Sequence, residues 1–87
     1  MSVRAWGDLK SADFATLDPH TTIAILPLAA IEQHGPHLPV SVDTTIMEGM
    51  LAALAASDPP QTVLVLPVQA VAKSDEHLRS PGTLTYS

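Results

Sequence analysis

Two unbroken apolar runs frame the chain: TIAILPLAA from Thr22 to Ala30, and TVLVLPV from Thr62 to Val68. Neither alternates with polar positions and both contain β-branched residues, the pattern of strands buried on both faces, as in parallel sheets. Between them, Ile46, Met47, Met50, Leu51 and Leu54 recur at helical spacing within TTIMEGMLAALAAS. That spacing predicts a helix capped by Asp43 or Thr44. Gly49 costs this helix roughly 1 kcal/mol relative to alanine, too little to break it. Upstream, KSADFATLD predicts a short helix with Ser11 as N-cap and Phe14 and Leu17 on one face. Pro19 then fixes φ and turns Asp18 away from helix.

The expected order is helix, strand, loop, helix, strand, loop. Two apolar strands joined through a helix form a βαβ crossover, so the fold class is α/β with a parallel sheet. Each strand carries a proline near its end, Pro27 and Pro67, followed by a polar loop. Ligands collect at the carboxyl ends of strands in open α/β sheets, so the loops Glu32–Asp43 and Lys73–Thr83 are expected to face each other. Two strands and two helices cannot cover both faces of a parallel sheet, and so small a domain is marginal even when complete. Residues 1–87 are therefore expected to be part of one larger α/β domain, or a piece completed only in an assembly.

Composition narrows the function. The chain is 46% hydrophobic and 15% charged, with a single Trp, Tyr and Phe, so its core must come from Ala, Val, Leu and Ile. A net charge of −5 with only four scattered cations (Arg4, Lys10, Lys73, Arg79) argues against nucleic acid as a partner. Without cysteine there is neither a disulfide framework nor a thiolate zinc site. The segment MSVRAWGDLK has no apolar signal core, and no run approaches the roughly 20 residues of a membrane span. A cytoplasmic location is the expectation.

The candidate chemistry lies in IEQHGPHLPVSVDTT, Ile31 to Thr45. Glu32 and His34 are one residue apart, so in extended backbone both point to one side while Gln33 points away. The stiff GPHLP turn can bring Asp43 back toward them. Carboxylates mixed with imidazole suit zinc, manganese or iron rather than calcium, and one of two carboxylates can bridge a metal pair about 3.5–4 Å apart. Spacing alone leaves other readings open: a solvated Glu–His pair, Asp43 as a simple helix cap, and His20 and His37 as surface residues.

ILPLAAIEQHGPHLPVSVDT resembles the signature loop of the creatininase (creatinine amidohydrolase) family, Leu-Pro-x-Gly-x-x-Glu-Gln-His-Gly-Pro-His-Leu-Pro-x-x-x-Asp. KSDEHLRSPGT resembles that family's later Ser-x-Glu-His-x-x-x-Pro-Gly-Thr loop. The resemblance implies metal ligation by Glu32, His34 and Asp43, with Asp43 bridging two divalent ions (zinc, manganese or iron), Glu32 on one and His34 on the other. It places Ser74 and the Glu76–His77 pair on a second loop beside substrate, with Ser74 and His77 as substrate contacts. It further implies hydrolysis of non-peptide C–N bonds in small-molecule amides, and a homo-oligomer. Relatives also act on formamides or small peptides. Ala29 in place of glycine, Val71 and Ala72 in place of Tyr-Gly, and Ser80 in place of an aromatic residue depart from the pattern and leave the substrate open. The family's further His and Glu ligands lie beyond this length, so the chain is expected to carry half of the site and to be inactive alone. Two other readings stand beside it: a non-catalytic subunit-interaction piece, and a small metal-binding protein that adds His37 to the three ligands.

Overall fold

A computed structural model describes residues 2–86. Its centre is a three-stranded parallel sheet in the order β1 (Val3–Ala5), β3 (Thr62–Val65), β2 (Thr22–Ile25). Helix α2 (Val42–Ser57) connects β2 to β3, giving the expected crossover between neighbouring parallel strands. A single-turn helix α1 (Ser11–Phe14) and two 3-10 turns (Trp6–Asp8 and Asp75–His77) complete the regular structure.

β1 is a third strand that the apolar pattern does not announce. It is three residues long with Arg4 in its middle, too short and too polar to carry a period. It pairs along the free side of β3, Val3 with Val63 and Ala5 with Val65, and so makes β3 central. Position in the sheet then sets burial. Val63 and Leu64 are buried at 4% and 2% exposure, whereas Ile23 on the edge strand β2 is 45% exposed. The expectation that both apolar runs are buried on both faces holds for β3 and fails for β2, because only a central strand has neighbours on each side. Both strands are also shorter than expected, ending at Ile25 and Val65.

The helices differ from expectation at their starts. α1 covers Ser11–Phe14 rather than Lys10–Asp18, and Lys10, not Ser11, occupies its N-cap position. Asp13 closes that turn by accepting the Lys10 backbone N–H at 2.8 Å. Ser41 sits at the N-cap position of α2, and Asp43 lies inside its first turn, where a carboxylate meets the positive end of the helix dipole. α2 carries apolar residues on both sides and touches β1, which leaves Ile46 and Met50 exposed. Its C-cap, Asp58, takes the left-handed conformation at φ 45°, and its carboxylate accepts the Ser2 N–H and Oγ–H at 3.1 and 2.9 Å.

Beyond the strands the two chains stay side by side. Leu66 N–H donates to the Ile25 carbonyl, Gln69 N–H to Pro27, and Ala29 N–H to Gln69. Pro27, which has no N–H to give, is buried and presents only its carbonyl to this ladder. The run of paired backbone delivers both polar loops to the carboxyl end of the sheet.

Candidate metal centre

The first loop is closed by its own backbone: Glu32 N–H donates to the Val40 carbonyl at 3.3 Å, across the turn that contains Gly35 at φ +78°. This brings Asp43, on α2, back beside Glu32 and His34. One ligand atom from each of these three half-buried residues lies within 4.8 Å of the other two. The convergence expected from the sequence is present.

The hydrogen bonds of His34 define its state. Nδ1 lies 2.9 Å from the Glu32 carbonyl oxygen. A carbonyl only accepts, so Nδ1 carries the proton and the neutral ring keeps its lone pair on Nε2. Nε2 in turn faces Asp43 Oδ1 at 3.1 Å. Two lone pairs at that distance repel unless a proton or a cation lies between them. The pKa of His34 is accordingly raised, first by the hydrogen bond to the Glu32 carbonyl, then by the charge and hydrogen bond of Asp43 and the charge of Glu32, against an opposing desolvation.

The second loop folds directly over the first. Leu84 N–H donates to the Ile31 carbonyl at 2.8 Å, and Gln33 N–H to Thr83 Oγ1 at 3.2 Å. Gly82, at φ +88°, lies so close that a Cβ there would be 3.1 Å from Val40 Cγ1. His77 reaches across in two directions, with Nδ1 3.1 Å from Gln33 Nε2 and Nε2 3.9 Å from Glu32 Oε2. Glu32, Glu76 and His77 form a second group with ligand atoms within 4.8 Å, sharing Glu32 with the first. Ser74 is fully buried; its N–H donates to Thr85 Oγ1 at 2.8 Å, and its Oγ has no hydrogen-bond partner among the described residues. His20 and His37 are exposed and belong to neither group, so the reading that added His37 to the ligands is not carried by the geometry.

Gln33 and Thr83 stitch the loops together, and sequence reasoning did not single them out. The alternation that aims Gln33 away from Glu32 and His34 was the available signal: its side chain points at the second loop instead.

Comparison with known proteins identifies the family. The sequence profile of the Creatininase family (creatinine amidohydrolase) matches residues 7–87. The mycofactocin precursor peptide peptidase of Mycobacterium tuberculosis (strain CDC 1551 / Oshkosh) is 38% identical over 50 residues, 58% of this chain and 20% of that protein. The protein of the same name from strain ATCC 25618 / H37Rv gives the same figures. The match thus spans 20% of the length of these curated relatives. No solved structure matches at a significant level. With both polar loops inside the matched span, this chain belongs to the creatininase family.

Proposed function

We propose that this chain carries one half of a binuclear metal site in a hydrolase of non-peptide C–N bonds, with a small-molecule amide as substrate. Glu32 would hold one ion and His34 the other, with Asp43 shared between them. The observation that carries this reading is the convergence of one ligand atom each from Glu32, His34 and Asp43 within 4.8 Å, with His34 Nε2 3.1 Å from Asp43 Oδ1. The donor set of two carboxylates and an imidazole fits zinc, manganese or iron. Such ions supply Lewis acidity and an acidified water for attack on an amide carbonyl.

The chain's own residues prepare that chemistry. The Glu32 carbonyl fixes the ring of His34 so that Nε2 faces inward. Asp43 is anchored by the first turn of α2, which holds its carboxylate still. The second loop, which carries Ser74 and His77, forms the substrate side: Ser74 Oγ, without a partner among the described residues, has a hydrogen bond to give, while the ring nitrogens of His77 face Gln33 and Glu32. In this proposal the remaining ligands and the general acid come from outside these 87 residues, so the chain alone releases no amine. The working form is a cytoplasmic homo-oligomer. No helix of the described residues is long and apolar enough to cross a membrane, which fits that setting.

A second reading keeps the site and changes the substrate to the amide bond of a peptide. The name of the mycobacterial relatives, a precursor peptide peptidase, favours it.

Equilibrium dialysis against Zn²⁺ or Mn²⁺, read by elemental analysis, tests the site. Bound metal in the wild type and none in His34→Ala is expected; no metal in the wild type contradicts the proposal. Incubation with creatinine, a formamide and a short peptide tests the rest, with no amine release expected from the chain alone.

A further inference from the structure

Gln33 and His77 connect the two loops through polar contacts whose direction can be deduced from what each atom is able to do. Gly35 N–H lies 2.9 Å from one end of the Gln33 amide. A backbone N–H only donates, so that end is Oε1 and the other end, facing His77, is Nε2. Gln33 Nε2 stands 3.1 Å from His77 Nδ1. An amide nitrogen also only donates, so Nδ1 is the acceptor. The neutral ring of His77 then carries its proton on Nε2, and Nε2 is the atom 3.9 Å from Glu32 Oε2. The side chains of His77 and Glu32 are 30% and 17% exposed, shielded enough for that dipole to act on the carboxylate.

We infer that His77 is a positioning residue for Glu32: Gly35 orients Gln33, Gln33 sets the proton of His77 on Nε2, and that N–H orients the carboxylate of Glu32 toward Asp43 and His34. This rests on the metal-site reading above and deepens it. At 3.9 Å the N–H steers the carboxylate by charge and dipole rather than by a full hydrogen bond. The arrangement makes His77 a support of the centre and leaves it no lone pair for an ion on the Glu32 side, although Glu32, Glu76 and His77 lie close enough together to suggest a ligand set. Outer partners of this kind are worth roughly 10–100-fold in metal affinity. Gly35 belongs to the device because φ +78° lets its N–H turn back on the residue two positions earlier.

Two measurements on the full 87-residue chain test it. The first reads the imidazole nitrogens of the metal-free protein by ¹H–¹⁵N correlation spectroscopy. His77 is expected to show a protonated Nε2 and a lone pair on Nδ1. Gln33→Glu, whose carboxylate can only accept, is expected to switch the proton to Nδ1. A wild-type His77 protonated on Nδ1 overturns the inference, as does a proton position indifferent to Gln33→Glu. The second is Zn²⁺ affinity. His77→Ala is expected to weaken it about 10–100-fold, and His77→Gln, which keeps an N–H donor but offers no imidazole, to restore most of it. If His77→Gln binds as weakly as His77→Ala, the ring is itself a ligand and the inference fails. A wild type that binds no zinc yet shows the expected tautomer contradicts the metal site, while the wiring of His77 still stands.

Discussion

His34 and His77 approach the same glutamate from opposite loops. His34 donates from Nδ1 to the backbone carbonyl of Glu32, and its Nε2 lone pair faces Asp43. His77 accepts at Nδ1 from Gln33, and its Nε2–H faces the Glu32 side chain. The group on the far nitrogen decides what the near nitrogen can do: an acceptor behind the ring makes a ligand, and a donor behind it makes a support. On the proposed reading the first loop offers the metal ligands, and the second holds the first loop in place.

The largest expected effect breaks both loops at once. Leu64, on the central strand and 2% exposed, packs beneath the framework that carries them. Leu64→Ala should lower stability by about 2–5 kcal/mol, seen as an earlier midpoint in urea unfolding, with loss of metal binding in parallel. Next comes a substitution that separates ligand from support. Asp43→Ala removes a proposed first-loop ligand and should weaken zinc binding well beyond the roughly 10–100-fold expected of an outer partner such as His77. Equal effects from the two loops, read by calorimetric titration, would erase the distinction between them.

A smaller effect tests the seam alone. Thr83→Val deprives the half-buried Gln33 N–H of its acceptor and should cost about 1–3 kcal/mol. Its signature is faster hydrogen exchange at Gln33 and at the Leu84 amide that pairs with Ile31. The smallest lies outside both loops and serves as the control. The carboxyl of Asp58 is held below its ordinary value of 3.8, chiefly by the Ser2 backbone N–H and then by the Ser2 hydroxyl. A depressed carboxylate stabilises the fold above the ordinary value, and its contribution disappears as pH falls through the lower folded value. Asp58→Asn should therefore flatten the loss of stability below pH 3.8 and leave zinc affinity at neutral pH unchanged.

Much of this was legible in the residues. The crossover could be read because two apolar runs and a helical period between them admit few arrangements. The meeting of the loops followed from placing both after the strands' carboxyl ends, and the convergence of Glu32, His34 and Asp43 from alternation plus a stiff turn. What escaped has physical reasons. β1 is three residues with a charge at its centre and is held by pairing with β3, a contact 60 positions away in sequence (Val3 with Val63) that no local pattern encodes. The exposure of Ile23 depends on which strand is central, and that in turn depends on β1. Asp43 fits the composition of a cap, but the chain enters α2 two residues earlier, at Ser41, which frees the carboxylate for His34. The part played by Gln33 depends on the second loop and on the Gly35 N–H behind it, neither of which its spacing reveals.

The most direct test follows the imidazole nitrogens of His34 and His77 by ¹H–¹⁵N correlation while zinc is added to the wild-type chain. Coordination should appear at His34 Nε2 with its Nδ1 proton retained, and His77 should keep its Nε2 proton throughout. Zinc arriving on His77, or leaving the His34 signals unmoved, would contradict the division of labour between the two loops.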